Sequence, residues 1–192
     1  MPRVVRAEPQ IASWAEVEMI LAQIAPRRRA TYQLVVKVLE CLGVRVGEIA
    51  KLTWGDIDWT HGRIRVSRSR TKTAAGQRWL ALPDELLAAI GELCPPDDRS
   101  AGRRVFVGVT EKRVDSALRR ACAKAGLAAY SAHDLRHRRI SLWSAQGTPP
   151  ALLTRRAGHS QVSMTQNVYS HVVVPDDDPW ADFWRAELTE GR

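Results

Sequence analysis

Hydrophobic residues recur at intervals of three or four along most of the chain, which predicts that helices make up most of the fold. Local signals mark where some of these helices begin and end. Ser13 with Glu16 forms a capping-box pattern, and Gly43 is suited to ending a helix. We predict helices over residues 13–24, 29–42, 46–52, 83–93, 110–124 and 131–147, a short one from Pro150, and one in the tail.

The pattern changes to simple alternation between residues 57 and 82. Ile64 and Val66 alternate with arginines, and the preceding His61-Gly62 pair favours a turn. Strands are predicted over 57–59, 63–67 and 79–82, with one more short strand at 105–107. The predicted fold class is therefore mixed α+β, mainly α-helical with a small three-stranded antiparallel sheet.

Charge adds a first indication of the partner. The chain has 29 Lys and Arg against 21 Asp and Glu, a net charge of +8. A polyanion is therefore the first partner to consider, although charge alone does not establish one.

Cysteine spacing and the N-terminal sequence bear on the compartment. Cys41, Cys94 and Cys122 form no CxxC pair, which indicates neither a disulfide framework nor a zinc knuckle. The N-terminal residues lack the apolar segment of a secretion signal, and charged residues interrupt every long apolar stretch. We expect a protein of the reducing cytoplasm, with no membrane span.

Five separated elements could carry chemistry, and their order matters more than any one of them. These elements are Arg45, Lys72, the His133-Asp134-Leu135-Arg136 stretch, Gly158-His159 and Tyr169. Each is common by itself, since a lone arginine or tyrosine is usually structural or solvated. Their combination is much more specific than any single short motif.

The local sequences around these residues resemble the tyrosine recombinase, or phage integrase, family. The resemblance covers residues 11–174 and implies the catalytic-domain fold of that family. It is carried by GVRVGEIAKL at 43–52, the lysine hairpin at 68–73, the HxxR box at 131–137, the glycine-histidine element at 157–160 and MTQNVYSHV at 164–172.

The resemblance implies site-specific DNA recombination, in which Tyr169 forms a transient 3′ phosphotyrosine. Arg45, Arg136 and His159 would bind the nonbridging phosphate oxygens, because charge builds up there during attack. His133 is the candidate base, and Lys72 the candidate acid for the leaving 5′ hydroxyl. Glu48 would orient either Arg45 or His133. Since the phosphotyrosine keeps the energy of the broken bond, neither a metal ion nor ATP is expected.

Other basic residues are interpreted as phosphate contacts or solvated charges that do not read sequence. They include Arg68, Arg70, Arg138 and Arg139. A metal site at His133 and His137 is disfavoured, because no HExxH glutamate accompanies them and Arg136 lies between them. Double-stranded DNA is the expected partner, and a nucleoid-associated location in the cytoplasm follows.

The chain divides into three segments on this interpretation. Residues 1–10 are a leader or linker, 11–174 the catalytic domain, and 175–192 a tail helix. The tail would dock on a neighbouring protomer in a tetramer on DNA or fold back on its own domain. The helical core-binding domain that precedes this one in the family is expected to be absent, so recombination by this chain alone would be weak.

Two other functions remain open from the sequence. A type IB topoisomerase shares the nucleophile and the cationic pocket but relaxes DNA without a specific site. A DNA-binding protein with a relic active site would form no covalent adduct.

Overall fold

The computed structural model describes residues 11–25, 29–67, 77–158 and 178–189 of the protein. The helices are α1 (Trp14–Gln23), α2 (Arg29–Leu42), α3 (Val46–Ile49), α4 (Asp84–Gly91), α5 (Glu111–Ala125), α6 (Ala132–Ala145), α7 (Pro150–Ala157) and α8 (Ala181–Thr189). Two 3₁₀ turns, Trp54–Asp56 and Pro96–Asp98, complete the described helical elements. The predicted fold class is confirmed.

Capping signals explain why the helices have these limits. Ser13 and Glu16 form the predicted capping box at α1, since the Ser13 Oγ accepts from Glu16 N–H at 3.2 Å and Glu16 Oε2 accepts from Ser13 N–H at 2.8 Å. Gly126 ends α5 in the left-handed conformation, with φ +70°. Helix α3 is shorter than predicted, because the residues after Ile49 form a turn.

The sheet has the predicted three antiparallel strands, in the order β1 (Ile57–Asp58), β2 (Arg63–Ser67) and β3 (Gln77–Ala81). Its register pairs Ile57 with Ile64, and Ile64 with Leu80, so the inward side chains of the three strands are aligned. This arrangement leaves Trp79 on the outer face, 44% exposed.

The prediction of a strand at residues 105–107 is wrong. These residues form bends and a turn, in which Val105 and Phe106 are buried and Val107 is exposed. Among the described residues, the backbone here is bonded to the loop after α3, through Val105 N–H to Leu52 O at 2.9 Å and an isolated bridge between Thr53 and Arg104, and to its own turn, through Val109 N–H to Phe106 O at 3.2 Å. A run of apolar residues does not form a strand where no neighbouring strand continues the ladder.

Helices α2 and α6 lie against each other in the core, and α1 packs against α5. Helix α6 is buried on almost every face, including residues 138–143 without interruption. No helix in the described ranges is long and apolar enough to span a bilayer.

The prediction that Arg138 and Arg139 contact DNA or solvent is wrong, because both side chains are completely buried. Glu40 of α2, itself 0% exposed, binds Arg138 at 2.5 Å and Arg139 at 2.9 Å. Burial of a charge requires such pairing. The sequence next to the HxxR motif did not reveal this partner, because Glu40 lies about a hundred residues away along the chain.

The tail helix α8 packs against its own domain, as in the second of the two sequence alternatives. Trp184 is 1% exposed, meets Trp143 edge to face at 4.9 Å between ring centroids, and donates from Nε1 to Cys41 O at 3.1 Å. The apolar side of the tail is therefore covered within one chain.

Candidate active site

Arg45 lies in the sharp connection between α2 and α3. Gly43 makes this connection possible, because its φ is +56° and a Cβ there would approach Arg139 Cγ to 3.0 Å. The Arg45 side chain is 37% exposed, and its main-chain N–H donates to Glu48 Oε2 at 2.8 Å. Arg45 Nη1 is buried and has no hydrogen-bond partner among the described residues. Its nearest recorded anionic contact is Glu48 Oε1, at 3.8 Å.

Helix α6 carries the HxxR pair. Ser131 caps the helix, and the carboxylate of Asp134 accepts from Ser131 N–H and from its Oγ at 2.7 Å each. One helical turn separates His133 from Arg136, which puts them on the same face. The Arg136 guanidinium is 2% exposed and donates to Gly43 O and, at 2.7 Å, to Ala157 O. It is fixed where α2 and α7 end.

Arg45, His133 and Arg136 meet at one small pocket, with a volume of about 140 Å³. The remaining lining residues are Val46, Glu111, Asp115, Ser131 and Ala132. Three of the predicted catalytic side chains, from two separate motifs, therefore border a space large enough for a phosphate group.

The two histidines of α6 are in direct contact. The rings of His133 and His137 stack edge to face, with centroids 4.3 Å apart. Burial, together with the charge of His133, holds the pKa of His137 below its usual value. His137 is therefore more readily neutral than an exposed histidine.

Glu48 is buried, and its hydrogen bonds go to Arg45 and to Arg78, not to His133. Arg78 of β3 donates from Nη1 to Glu48 Oε1 at 2.8 Å and from Nη2 to Oε2 at 3.1 Å. Burial alone would raise the pKa of the Glu48 carboxyl, but the hydrogen bonds and charge of Arg78, helped by Arg45, outweigh burial and lower it. Glu48 is held as a carboxylate.

Arg78 is a residue of this region that the sequence interpretation missed. It lies on the same face of β3 as Leu80 and is only 9% exposed. The predicted strand at 79–82 excluded Arg78, whereas β3 begins at Gln77 and places Arg78 at an inward position, where a charged residue requires a buried partner.

Gly158 ends α7 directly against Arg78. Its φ is +64°, and a Cβ at this position would lie 2.7 Å from Arg78 Nη1. Only glycine combines this backbone conformation with such a close approach. The turn before His159 is therefore shaped around the Arg78 side chain.

Other predicted residues lie outside the described ranges. They are the catalytic candidates Lys72, His159 and Tyr169 and the DNA-contact candidates Arg68 and Arg70. Their roles stay predictions.

Known proteins resemble the chain in sequence. The profile of the phage integrase family matches residues 13–174. The tyrosine recombinase XerA of Thermococcus kodakarensis is 30% identical over 183 residues, which cover 90% of this chain and 62% of XerA. The ICEBs1 integrase of Bacillus subtilis is 22% identical over 191 residues, 83% of this chain and 50% of that integrase. The chain thus spans between half and about three fifths of these relatives.

Solved structures match the fold. A crystal structure of XerA recombinase aligns with a TM-score of 0.67 at 23% identity, covering 100% of this chain and 66% of that one. The Tn1549 transposon integrase, in complex with transposon right end DNA, aligns with a TM-score of 0.74 at 21% identity, covering 97% and 67%.

Proposed function

Because this chain belongs to the phage integrase family, we propose that it is the catalytic part of a site-specific DNA recombinase of the tyrosine type. The observation that carries the proposal is the pocket shared by Arg45, His133 and Arg136. Two guanidinium groups beside one histidine suit a phosphodiester in the act of transfer, since they stay charged at every working pH.

The proposed reaction conserves the phosphodiester energy. The Tyr169 hydroxyl attacks the phosphorus and passes its proton to His133, and the bond from phosphorus to the 5′ oxygen breaks. Lys72 supplies the proton that the 5′ oxygen needs to leave as a hydroxyl. Attack by the 5′ hydroxyl of another strand reverses these steps and releases Tyr169.

Arg45 and Arg136 would stabilise the charge that develops on the nonbridging oxygens, with His159 as a third donor. Arg45 Nη1 makes no hydrogen bond to any residue that the structure describes, which supports this role, because a buried donor without a hydrogen bond is costly unless a ligand satisfies it. Charge-assisted hydrogen bonds of this kind are the strong ones. The net charge of +8 suits approach to DNA.

Assembly is also part of the proposal. Recombination of two duplexes exchanges four strands, and each protomer brings one Tyr169, so four protomers are needed on DNA. A cytoplasmic, nucleoid-associated location would follow from the DNA substrate.

A covalent trap tests the chemistry. The probe is a library of duplexes with a randomised core, in which each duplex carries one nick and the position of the nick varies across the library. Cleavage beside the nick releases a short strand that diffuses away, so the covalent adduct accumulates. We expect an SDS-resistant protein–DNA adduct with the parent protein and none with Tyr169→Phe. No adduct from the parent would favour a DNA-binding relic, and relaxation of supercoiled DNA without a preferred site would favour a topoisomerase.

A further inference from the structure

We propose that Arg78 is a positioning residue that keeps the Arg45 guanidinium available to the phosphate, an inference that rests on the proposed function. It does so by engaging the Glu48 carboxylate, which would otherwise compete for Arg45. The same side chain holds the end of α7 and the third strand of the sheet in place.

The bond between Arg78 and Glu48 is a buried two-point contact. The side chains are 7% and 4% exposed, and two parallel hydrogen bonds of 2.8 and 3.1 Å join them. Fork-to-carboxylate pairs of this kind fix orientation as well as charge. The Glu48 carboxylate is therefore held in one position, and water has little access to compete for its hydrogen bonds.

Arg45 approaches the same carboxylate much less closely. Its Nη1 lies 3.8 Å from Glu48 Oε1, beyond hydrogen-bond distance, although its main-chain N–H donates to Oε2 at 2.8 Å. Glu48 thus fixes the backbone of Arg45, while the negative charge of Glu48 is neutralised mainly by Arg78. If the guanidinium of Arg78 were lost, Arg45 would be the remaining cation within ion-pair distance of this buried carboxylate among the described residues.

Arg78 also donates a hydrogen bond to a carbonyl at the C-terminal end of α7. Its Nε donates to Arg156 O at 2.8 Å, and Arg136 Nη2 donates to the next carbonyl, Ala157 O, at 2.7 Å. The last carbonyls of a helix have no partners within the helix. Two arginines therefore hold the end of α7, and the Gly158 backbone lies directly on one of them.

These contacts tie three segments to one guanidinium. Arg78 belongs to β3, which follows residues 68–76, while Glu48 lies in α3 and Arg156 in α7. A displacement of a reacting group by about 1 Å can slow a reaction about a hundredfold. Loss of Arg78 should therefore appear in the chemistry and not only in stability.

A matched control is available elsewhere in the same core. Arg138 makes the same kind of contacts as Arg78, with Nε donating to Ala12 O at 2.8 Å and Nη1 to Glu40 at 2.5 Å. It lies outside the pocket lining. The variants are Arg78→Gln, Arg78→Lys and, as the control, Arg138→Lys, with thermal unfolding used to confirm that each is folded. The lysine variants keep a charge but lose the fork, so Arg78→Lys carries the test if Arg78→Gln does not fold.

The first readout compares two DNA probes, identical except that the scissile group is a phosphate or a neutral methylphosphonate. A neutral group gains little from a guanidinium. We expect Arg78→Lys to slow phosphate cleavage about tenfold to a hundredfold and methylphosphonate cleavage much less, so that the ratio of the two rates falls about tenfold. Arg138→Lys should leave this ratio at the parental value. Equal losses on both probes, or a ratio unchanged in Arg78→Lys, would overturn the inference.

A second readout does not depend on cleavage. Inorganic phosphate is titrated while the ¹⁵N resonance of Arg45 Nε is followed, with Arg45→Lys used to assign the signal. Arg78→Lys should need about ten times more phosphate than the parent or Arg138→Lys to give the same shift. An unchanged titration would sink the positioning role. Absence of an adduct from the parent protein, by contrast, counts against the recombinase proposal, and the phosphate titration still decides about Arg78.

Discussion

Arg139 of α6 and Asp178 at the start of the tail are joined by two hydrogen bonds of 2.7 Å each, from Nη1 to Oδ2 and from Nη2 to Oδ1. The Arg139 side chain is 0% exposed and that of Asp178 is 5% exposed. Asp178 Oδ2 also accepts from Gln146 Nε2, and its Oδ1 from Trp180 N–H, so the carboxylate is fully engaged. This pair fixes the point at which the tail meets the core.

The Arg139–Asp178 pair predicts how stability depends on pH. Burial raises the pKa of Asp178, but the hydrogen bonds and charge of Arg139 outweigh burial and lower it below the ordinary value of about 3.9. A lowered folded-state pKa gives stability that is present above about pH 4 and is lost as the pH falls through the folded-state value. We expect Asp178→Asn to reduce the free energy of unfolding by about 1.5–3 kcal/mol at pH 7.

Urea unfolding between pH 3 and pH 7, followed by tryptophan fluorescence, measures this effect. The difference between the parent and Asp178→Asn should shrink as the pH falls below 4. Asp97→Asn, a change at an exposed aspartate, is the control for removing one carboxyl. A difference that stays constant with pH would show that the pair does not contribute through its charge.

Glu40 neutralises two buried cations, so its removal should be among the most damaging changes in the core. Glu40→Ala leaves the Arg138 and Arg139 charges without this carboxylate and also removes the acceptor of Trp180 Nε1, now at 2.6 Å. We expect a loss of about 3–5 kcal/mol in the free energy of unfolding. Chemical denaturation measures it, with the exposed Glu18→Ala expected to stay within about 0.5 kcal/mol of the parent. A loss below about 1 kcal/mol for Glu40→Ala would contradict the account.

The cap of α6 predicts a smaller effect. Ser131→Ala removes the hydroxyl that accepts from Asp134 N–H at 3.4 Å and donates to the Asp134 carboxylate at 2.7 Å. We expect a loss of about 1 kcal/mol and a fall in Tm of about 2–4 °C. Calorimetry measures the shift against Ser100→Ala, an exposed serine outside the helices. An equal Tm for the two variants would mean that the cap does not stabilise the helix that carries His133 and Arg136.

The features that the sequence predicts well are local ones. Capping residues and hydrophobic spacing set the limits of α1, α2 and α6 to within a few residues, because each signal acts within one helical turn. The alternation of Ile64 and Val66 likewise predicts β2 with its bounds. The order of the family motifs predicts which residues of α6 and of the loop before α3 line the pocket.

The features that it did not predict depend on distant contacts. Arg138 and Arg139 read as surface charges because Glu40 is remote in sequence, and Arg78 was passed over because Glu48 and Arg156 lie on other elements. Residues 105–107 alternate like a strand, but in the part of the chain that the structure describes no strand lies beside them to extend the ladder. In each case the deciding information is a partner and not a pattern.

The packing of Trp184 has a practical consequence for anyone who shortens this protein. Arg156 lies over the Trp184 ring at 4.6 Å and over Trp143 at 5.7 Å, and burial lowers the pKa of Arg156 to about 10. The carbonyl of this same residue is the one that Arg78 grips. Removing the residues from 178 onward would remove the Trp184 ring from Arg156. Arg156 is linked to Glu48 through Arg78, so the loss could reach the pocket. A recombinant version meant for measuring DNA cleavage should therefore keep its last helix.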